Sequence, residues 1–322
     1  MSCLGLEGGI EKTMYLRFED AYNDYYNYVI CYLKPQSIKA IKDRFKNHIL
    51  PYFKNYNIYD IKKIDYLKFQ TILQDKNLSY KYIKVLHTAV VTFLNFCIKY
   101  YELNENIASK VGIFKNKNYS TNKFDFYTIE EFKHFIKYID NEIYKQFFNL
   151  MFFTGTRPGE AMALKFSDLN KYYIDINKTI AERTFENNER YIGSPKTFSS
   201  IRKVVIDKIL YNDLIKLKKY YIQKYNIENY DYFIFGGLKP LATTTLNRYK
   251  EKACNKAKIK NIRLHDFRHS HATLLLNNNI PISEISRRLG HSKISTTLDV
   301  YVHNDLTNEK RVFDTLNSIH IN

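Results

Sequence analysis

The sequence predicts a mainly α-helical protein of two domains with one small antiparallel β-sheet. Apolar residues recur every three or four positions along most of the 322 residues, as in amphipathic helices. Only residues 172–206 show short alternating runs of β-branched and apolar residues, which are typical of strands. The length suits two domains, and a content of 45% hydrophobic and 26% charged residues is typical of a globular protein.

Four helices are predicted in the first third of the chain. In the last of them Ser79 stands where an N-cap residue is expected, and Ile83, Leu86 and Val90 begin its apolar face. We expect these helices to form a bundle over residues 16–103, after a tail of residues 1–15. The predicted helices span residues 18–32, 37–52, 65–75 and 79–101.

Residues 104–126 lose this periodicity and gain Asn and Lys, which predicts a linker between two folding units. The second domain is then expected over residues 127–322. Thr128 and Glu131 are spaced as a capping box at the start of its first helix.

The second domain continues with an apolar helix over 144–153, which the Thr154 to Thr156 segment ends before a new helix starts near Arg157. The predicted sheet follows. Three more helices are expected after it, over residues 209–225, 243–257 and 264–277.

The chain is strongly basic, with 50 Lys and Arg against 33 Asp and Glu, a net charge of +17 and a pI near 9.4. This excess favours a polyanion as partner, nucleic acid above all, although membrane-surface proteins are also basic. Basic residues on the first-domain helices are therefore candidates for DNA contact, and a solvated surface is the alternative for each. These residues are Lys39, Lys42, Arg44, Lys81 and Lys84.

The sequence indicates a cytoplasmic protein. Its first residues lack the basic and apolar segments of a secretory signal, and no stretch approaches the roughly 18 apolar residues of a membrane span. Cys3, Cys31, Cys97 and Cys254 are scattered without a CxxC pair, which is typical of reduced thiols.

Six residues of the second domain have side chains suited to phosphate chemistry, and their order and spacing are informative. His265 and Arg268 are three positions apart and share a face if they lie on a helix. Arg268 precedes His291 by 23 residues, and His291 precedes Tyr301 by 10. The six are Arg157, Lys196, His265, Arg268, His291 and Tyr301.

Four segments around these residues resemble the successive signature segments of phage-type integrases, the tyrosine recombinase family. They read TGTRPGEAMALKFSDL, SPKTFSSIRKVVI, LHDFRHSHATLLL and RLGHSKISTTLDVYVH. The predicted bundle is similar to the core-DNA-binding domain of that family, so the resemblance extends over residues 17–310. It implies a helical core-binding domain, a mixed α/β catalytic domain and a site-specific DNA recombinase.

The resemblance implies that Tyr301 attacks the DNA backbone and forms a 3′-phosphotyrosyl intermediate. Lys196 would protonate the leaving 5′ oxygen, although Lys178 and Lys203 are rivals for that role. His265 would be the acid/base partner of Tyr301, and His291 would donate to a phosphate oxygen. Glu160 and Asp266 occupy positions where the family has acidic groups that orient the arginines and histidines.

The chemistry of these residues agrees with that implication independently. Two guanidinium groups, those of Arg157 and Arg268, can bind the charge that develops on the phosphate oxygens. Tyr301 has an ordinary pKa near 10 and needs a base or nearby cations to become nucleophilic. Because a covalent intermediate conserves the bond energy, neither a metal nor ATP is expected as cofactor, and the sequence has no GxxxxGK loop.

Three other functions compete with this interpretation. His265, Asp266, His269 and His271 could ligate a metal in a phosphohydrolase, although no second ligand cluster stands elsewhere in the sequence. A DNA-binding protein without catalysis would leave the Arg, His and Tyr order unexplained. A type IB topoisomerase shares the chemistry but lacks the integrase-type segments.

The resemblance also implies how the protein would assemble. We expect a clamp around duplex DNA, a free monomer, and a homotetramer on two DNA sites that exchanges strands through a Holliday junction. Integration or excision of a mobile element is the expected role, dimer resolution or inversion is the alternative, and an accessory DNA-bending or directionality protein is a possible partner. An apolar stripe after Tyr301 would pack on its own domain or on a neighbouring protomer: Leu306, Phe313, Leu316 and Ile319.

Overall fold

The computed structural model describes residues 15–114, 125–181, 191–193 and 198–295. The described residues divide into two compact units, an N-terminal unit of residues 15–114 and a C-terminal unit formed by the other three ranges.

The N-terminal unit is a helical bundle. Ser79 caps its longest helix, because its hydroxyl accepts a hydrogen bond from the backbone N–H of Tyr82 at 3.2 Å. The helices are α1 (Phe18–Ile30), α2 (Pro35–Arg44), a π-helical turn (Phe45–Ile49), α3 (Leu50–Phe53), α4 (Lys63–Asp75), α5 (Tyr80–Tyr101) and α6 (Ile107–Val111).

Aromatic rings fill the core of this bundle. Phe18 lies against Phe93 with 4.7 Å between ring centroids, and Tyr22 stacks on Phe45 at 4.4 Å. All four rings are buried. Part of the high Tyr and Phe content of the sequence therefore serves packing, where each large ring removes much apolar surface from water.

The predicted linker needs correction at its beginning. Residues 107–111 form α6, whose Ala108 is fully buried in the bundle core. Gln70 on α4 then holds the following residues, donating to the carbonyl of Gly112 at 2.6 Å and accepting from the N–H of Phe114 at 3.3 Å. A five-residue helix is too short to show periodicity, so the sequence pattern did not reveal it.

Within the described residues, α5 is long and apolar enough to cross a membrane by length and composition. Its apolar face is buried in the bundle through Leu86, Val90 and Phe93, and its outer face carries Lys81 and Lys84. This division is typical of a core helix in a globular bundle.

The C-terminal unit is also mainly helical, and its β content is small and antiparallel, as predicted. Strand β1 (Tyr173–Ile176) pairs with β4 (Arg202–Val205), and β2 (Thr179–Ala181) pairs with β3 (Tyr191–Gly193). The helices are α7 (Ile129–Ile136), α8 (Glu142–Thr154), α9 (Pro158–Ala163), α10 (Lys208–Tyr225), α11 (Thr243–Ala257), α12 (Asp266–Asn277) and α13 (Ile282–Leu289).

An aromatic core holds α7, α8 and α12 together. Phe132 on α7 stacks on Phe152 of α8 at 3.9 Å, and Phe267 of α12 packs against Phe148 at 5.3 Å. This packing places the C-terminal end of α8 beside α12, where two of the predicted site segments meet.

Helix α13 was not predicted. It spans only eight residues, and Ile285 and Leu289 are its two buried apolar side chains. They pack with Ala272 of α12 in a small separate cluster. Eight residues are fewer than the roughly 11–18 over which an apolar period is normally read, so the sequence pattern did not indicate this helix.

Candidate active site

Four of the six predicted catalytic residues lie in the described part of the C-terminal unit. Lys196 and Tyr301 lie outside the described residues. The same holds for the apolar stripe Leu306, Phe313, Leu316 and Ile319.

Arg157 is the N-cap residue of α9, where Pro158 follows at the first helical position. Its backbone N–H and its Nη1 both donate to the carboxylate of Glu160, at 2.9 and 2.7 Å. The side chain of Arg157 is 34% exposed whereas that of Glu160 is 2% exposed. A buried carboxylate thus anchors a guanidinium that still faces solvent.

Glu160 has a second cationic partner, Arg202 at the start of β4. Its Nη2 lies 2.9 Å from Oε2 of Glu160. Burial would raise the pKa of Glu160, but the hydrogen bonds and charge of Arg202, with the charge of Arg157, outweigh this effect and lower that pKa. Glu160 is therefore ionised at neutral pH.

Arg202 was not singled out in the sequence, although the sequence contains a signal for it. Along a strand, alternate residues share a face, so Arg202 lies on the same side as Val204 and Ile206. Both of those residues are buried. An arginine at the inward position of an otherwise apolar strand face indicates a buried ion pair.

Arg268 on α12 is almost completely buried. Its Nη1 donates to the carbonyl of Gly155 at 2.9 Å, and its Nη2 donates to the carbonyl of Leu289 at 2.6 Å. The guanidinium therefore joins the turn after α8, two residues before Arg157, to the end of α13, two residues before His291.

Arg157 reaches the same end of α13, since its Nη2 lies 3.4 Å from the carbonyl of Gly290. Loss of hydration lowers the pKa of His265, and the charges of Arg268 and Arg157 lower it further. The same three causes lower the pKa of His291 to about 4. The backbone places both histidines here as well, since His265 is the N-cap residue of α12 and His291 directly follows Gly290, whose carbonyl accepts from Arg157.

The two imidazoles are therefore neutral at pH 7. A neutral imidazole has one nitrogen that accepts a proton and one that donates a hydrogen bond. The site thus combines two permanent cations with two groups able to exchange a proton.

We expected Asp266 to orient the arginines and histidines of the site, but its hydrogen bonds are made elsewhere. Its carboxylate binds Arg263, whose Nη2 and Nε lie 2.8 and 3.0 Å away, and it also accepts from the backbone N–H of Arg263 at 2.9 Å. As the first residue of α12, Asp266 stabilises the turn that leads into this helix. Its charge still acts on His265, whose pKa it raises slightly against the dominant lowering causes.

The two rivals of Lys196 have other partners. Nζ of Lys178 lies 2.6 Å from the carboxylate of Asp168, and Nζ of Lys203 lies over the ring of Tyr173 at 4.6 Å. Lys196 therefore stays the predicted lysine of the site.

Two of the four residues of the metal-site alternative, His271 and Asp266, have other partners. His271 is buried, its Nδ1 donates to the carbonyl of Phe152 at 2.9 Å, and its Nε2 accepts from Nε of Arg288 at 3.0 Å. Asp266 is occupied by Arg263. Among the described residues no group of three or more His, Cys, Asp or Glu is placed to hold a metal ion.

The candidate DNA-contacting residues lie on α2 and α5 of the N-terminal unit. Arg44, Lys81 and Lys84 line an open groove of about 830 Å³ together with exposed tyrosines such as Tyr28 and Tyr32. Nζ of Lys42 lies over the ring of Tyr26 at 5.9 Å, and Lys39 is half-buried on α2. The unit thus presents cations beside aromatic rings.

The chain is similar to known integrases along most of its length. Residues 124–308 match the phage integrase family, and residues 17–74 match the phage integrase N-terminal SAM-like domain. ICEBs1 integrase of Bacillus subtilis (strain 168) is 30% identical over 295 residues, which cover 89% of this chain and 78% of the relative.

Two solved structures share the fold. Tn1549 transposon integrase in complex with a circular intermediate DNA has a TM-score of 0.74 at 17% identity, covering 94% of this chain and 99% of that one. A lambda integrase tetramer bound to a Holliday junction has a TM-score of 0.63 at 15% identity, covering 86% and 78%. Since the family match spans more than half of the sequence and the Bacillus relative is similar along most of it, the chain belongs to the phage integrase family of tyrosine recombinases, enzymes that break and rejoin DNA.

Proposed function

We propose that this protein is the site-specific recombinase of an integrating mobile element and that Tyr301 is its nucleophile. The observation that carries the proposal is the meeting of Arg157, Arg268, His265 and His291 at one place, between the ends of α8 and α13 and the start of α12. Similarity to ICEBs1 integrase over 89% of the chain supports integration and excision of a mobile element.

The arginines stabilise the transition state. Attack at phosphorus adds negative charge to the non-bridging oxygens, and the fixed guanidiniums of Arg157 and Arg268 compensate it without reorganisation. Arg157 is the more exposed of the two and reaches the DNA from the surface.

The histidines and the lysine move the protons. The phenol oxygen of Tyr301 forms a bond to phosphorus while the bond from phosphorus to the 5′ oxygen breaks. His265, neutral because its pKa is lowered, takes the phenol proton, and the Lys196 ammonium gives a proton to the departing 5′ oxygen. His291 donates a hydrogen bond to a phosphate oxygen, and the reverse sequence rejoins the strand.

Double-stranded DNA is the proposed partner, bound by the C-terminal site and by the basic residues Lys39, Lys42, Arg44, Lys81 and Lys84. The DNA-bound integrases of similar fold support a homotetramer on two DNA sites. We also propose that the free protein is a monomer, that it works with an accessory directionality protein, and that it lies in the cytoplasm with the DNA.

A nicked suicide substrate tests the nucleophile. A pool of nicked duplexes that tile the DNA flanking the coding sequence is incubated with the full chain in EDTA and run on a denaturing gel. We expect a covalent protein–DNA band that is lost in Tyr301→Phe and kept in Tyr220→Phe, a matched change at an exposed tyrosine of α10. Cleavage that requires a divalent metal and survives Tyr301→Phe would overturn the proposal.

A second variant tests the arginine chemistry. Arg157→Lys keeps the positive charge but loses the planar fork, so the Kd for duplex DNA should change less than about threefold while covalent complex formation falls at least about 100-fold. Gel-shift titration and the same suicide gel measure the two quantities. Cleavage at the wild-type rate would remove Arg157 from the mechanism.

A further inference from the structure

Arg202 has a largely buried side chain that joins three elements of the predicted active site. From the first position of β4 its Nη1 and Nη2 reach the Glu160 carboxylate of α9 at 3.3 and 2.9 Å, and its Nε donates to the carbonyl of Arg288 on α13 at 2.7 Å. Nη1 also donates to the carbonyl of Ser200 at 2.9 Å. With its side chain only 7% exposed, Arg202 acts inside the protein and not on DNA directly.

The turn before His291 is built directly against this arginine. Gly290 has φ of +69°, and a Cβ added there would lie 3.0 Å from Cδ of Arg202 and 2.9 Å from the carbonyl oxygen of Ser199. The charge of Arg202 is also among the causes that lower the pKa of His291. The end of α13, and with it His291, is therefore held by Arg202.

Arg202 and Arg157 share the carboxylate of Glu160. Arg157 uses Nη1 to bind Oε1, whereas Arg202 binds Oε2 with Nη2 and also approaches Oε1 with Nη1. If Arg202 is removed, Arg157 is the guanidinium partner that remains for the buried carboxylate of Glu160. A bidentate ion pair between the two is then favoured, because an uncompensated buried charge is costly. Without Arg202, Glu160 would draw the Arg157 fork inward, away from the phosphate.

We propose that Arg202 is a positioning residue for DNA cleavage. It binds the carboxylate of Glu160 and holds the end of α13, so that Arg157 and His291 face the same phosphate. This inference rests on the proposed function, since it assigns Arg202 a part in the same reaction. It predicts a defect in the rate of cleavage and not in the affinity for DNA.

The experiment compares variants of the full chain on the nicked suicide substrate, at protein concentrations that saturate the DNA. We expect Arg202→Met to lower the single-turnover cleavage rate at least about tenfold, with a Kd for the intact duplex within about threefold of wild type. Arg248→Met is the matched control, because Arg248 is an exposed arginine on α11, outside the predicted site. It should cleave at the wild-type rate.

A double variant separates positioning from general damage to the fold. If the charge of Glu160 misdirects Arg157 once Arg202 is absent, adding Glu160→Gln should cause no further loss, and Arg202→Met/Glu160→Gln should cleave at least as fast as Arg202→Met. Independent structural defects would multiply instead. Should circular dichroism show Arg202→Met to be unfolded, Arg202→Lys, which keeps the charge but loses the Nε bond and the fork, replaces it in both comparisons.

Three results would overturn the inference: cleavage by the Arg202 variant within about threefold of wild type, a loss of cleavage matched by an equal loss of DNA affinity, or losses that multiply in the double variant. A wild-type chain that forms no covalent complex, or whose complex survives Tyr301→Phe, would instead refute the proposed function. The two failures are thus distinguishable.

Discussion

The side chains of His271, which is buried, and Arg288, which is half-buried, form a pair between α12 and α13. Nε of Arg288 donates to Nε2 of His271, and Nη2 of Arg288 donates to the carbonyls of Phe153 and Val205 at 3.1 and 2.9 Å. The pair joins α12 and α13 to the end of α8 and to β4. Arg268 also binds carbonyls at the end of α8 and at the end of α13. Arg288 therefore holds together the same elements as Arg268.

The protonation of His271 should limit the stability of the C-terminal unit in acid. Burial, and then the charge of Arg288, lower the pKa of His271 to about 3. Below pH 6.5 His271 becomes protonated in the unfolded chain but stays neutral in the folded protein. The free energy of unfolding therefore falls as the pH falls towards 3. Between pH 6.5 and 4.5 this residue alone accounts for a loss of about 2–3 kcal/mol.

His271→Asn tests this effect. The asparagine amide keeps a donor for the carbonyl of Phe152 but does not titrate, so the variant should be less stable than wild type at pH 7 by about 1–3 kcal/mol and should lose less stability in acid. Urea denaturation between pH 4.5 and 7 measures both quantities. An unchanged pH slope would show that His271 does not control acid stability, since His265, His269 and His291 also have lowered pKa values.

At the scale of elements, the turn between α8 and α9 has no room for a side chain at Gly155. The residue ends α8 with φ of +65°, and a Cβ there would lie 2.6 Å from Cδ2 of His271 and 2.7 Å from Cδ2 of Leu289. The close approach lets the Gly155 carbonyl accept from Arg268. The absence of a side chain therefore allows α8, α12 and α13 to meet.

Gly155→Ala should lower the free energy of unfolding by about 2–4 kcal/mol, because backbone strain and overpacking add. Asn226→Ala is the control: Asn226 ends α10 in the same left-handed conformation, with φ of 54° and ψ of 40°, but it is exposed, so only backbone strain of at most about 1–2 kcal/mol applies. Thermal and urea denaturation measure both. Equal losses in the two variants would show that the contact with α12 and α13 is not tight.

Helix prediction succeeded where the apolar period is long and failed where it is short. The helix expected over residues 243–257 is α11 with the same bounds, and the first domain's longest helix begins after Ser79 as expected. The helix expected over 37–52 instead contains a π-helical turn at Phe45–Ile49. The backbone makes this local adjustment in the presence of tertiary packing, which a periodic pattern does not encode.

On the scale of the whole molecule, the net charge of +17 predicts DNA affinity that depends strongly on salt. If Lys81 and Lys84 contact phosphates, Lys81→Gln/Lys84→Gln should reduce the slope of log Kd against log salt by about 2. Lys218→Gln/Lys219→Gln, an equal change of charge at two exposed positions of α10, is the control. Fluorescence anisotropy at several salt concentrations gives the slopes, and equal effects would assign the dependence to net charge alone.

The family could be predicted from the linear sequence, because the order and spacing of Arg157, His265, Arg268, His291 and Tyr301 are properties of a linear pattern. The sequence by itself also determined the mainly helical fold, since helix formation and capping depend on neighbours within a few residues.

Which side chains meet could be seen only in the folded domain. Arg157 and Gly290 are 133 residues apart and in contact, Asp266 binds Arg263 instead of a predicted catalytic arginine, and Arg202 shares Glu160 with Arg157. The physical reason is that a buried charge is stable only where packing brings an opposite charge to it, and that packing is a property of the whole domain.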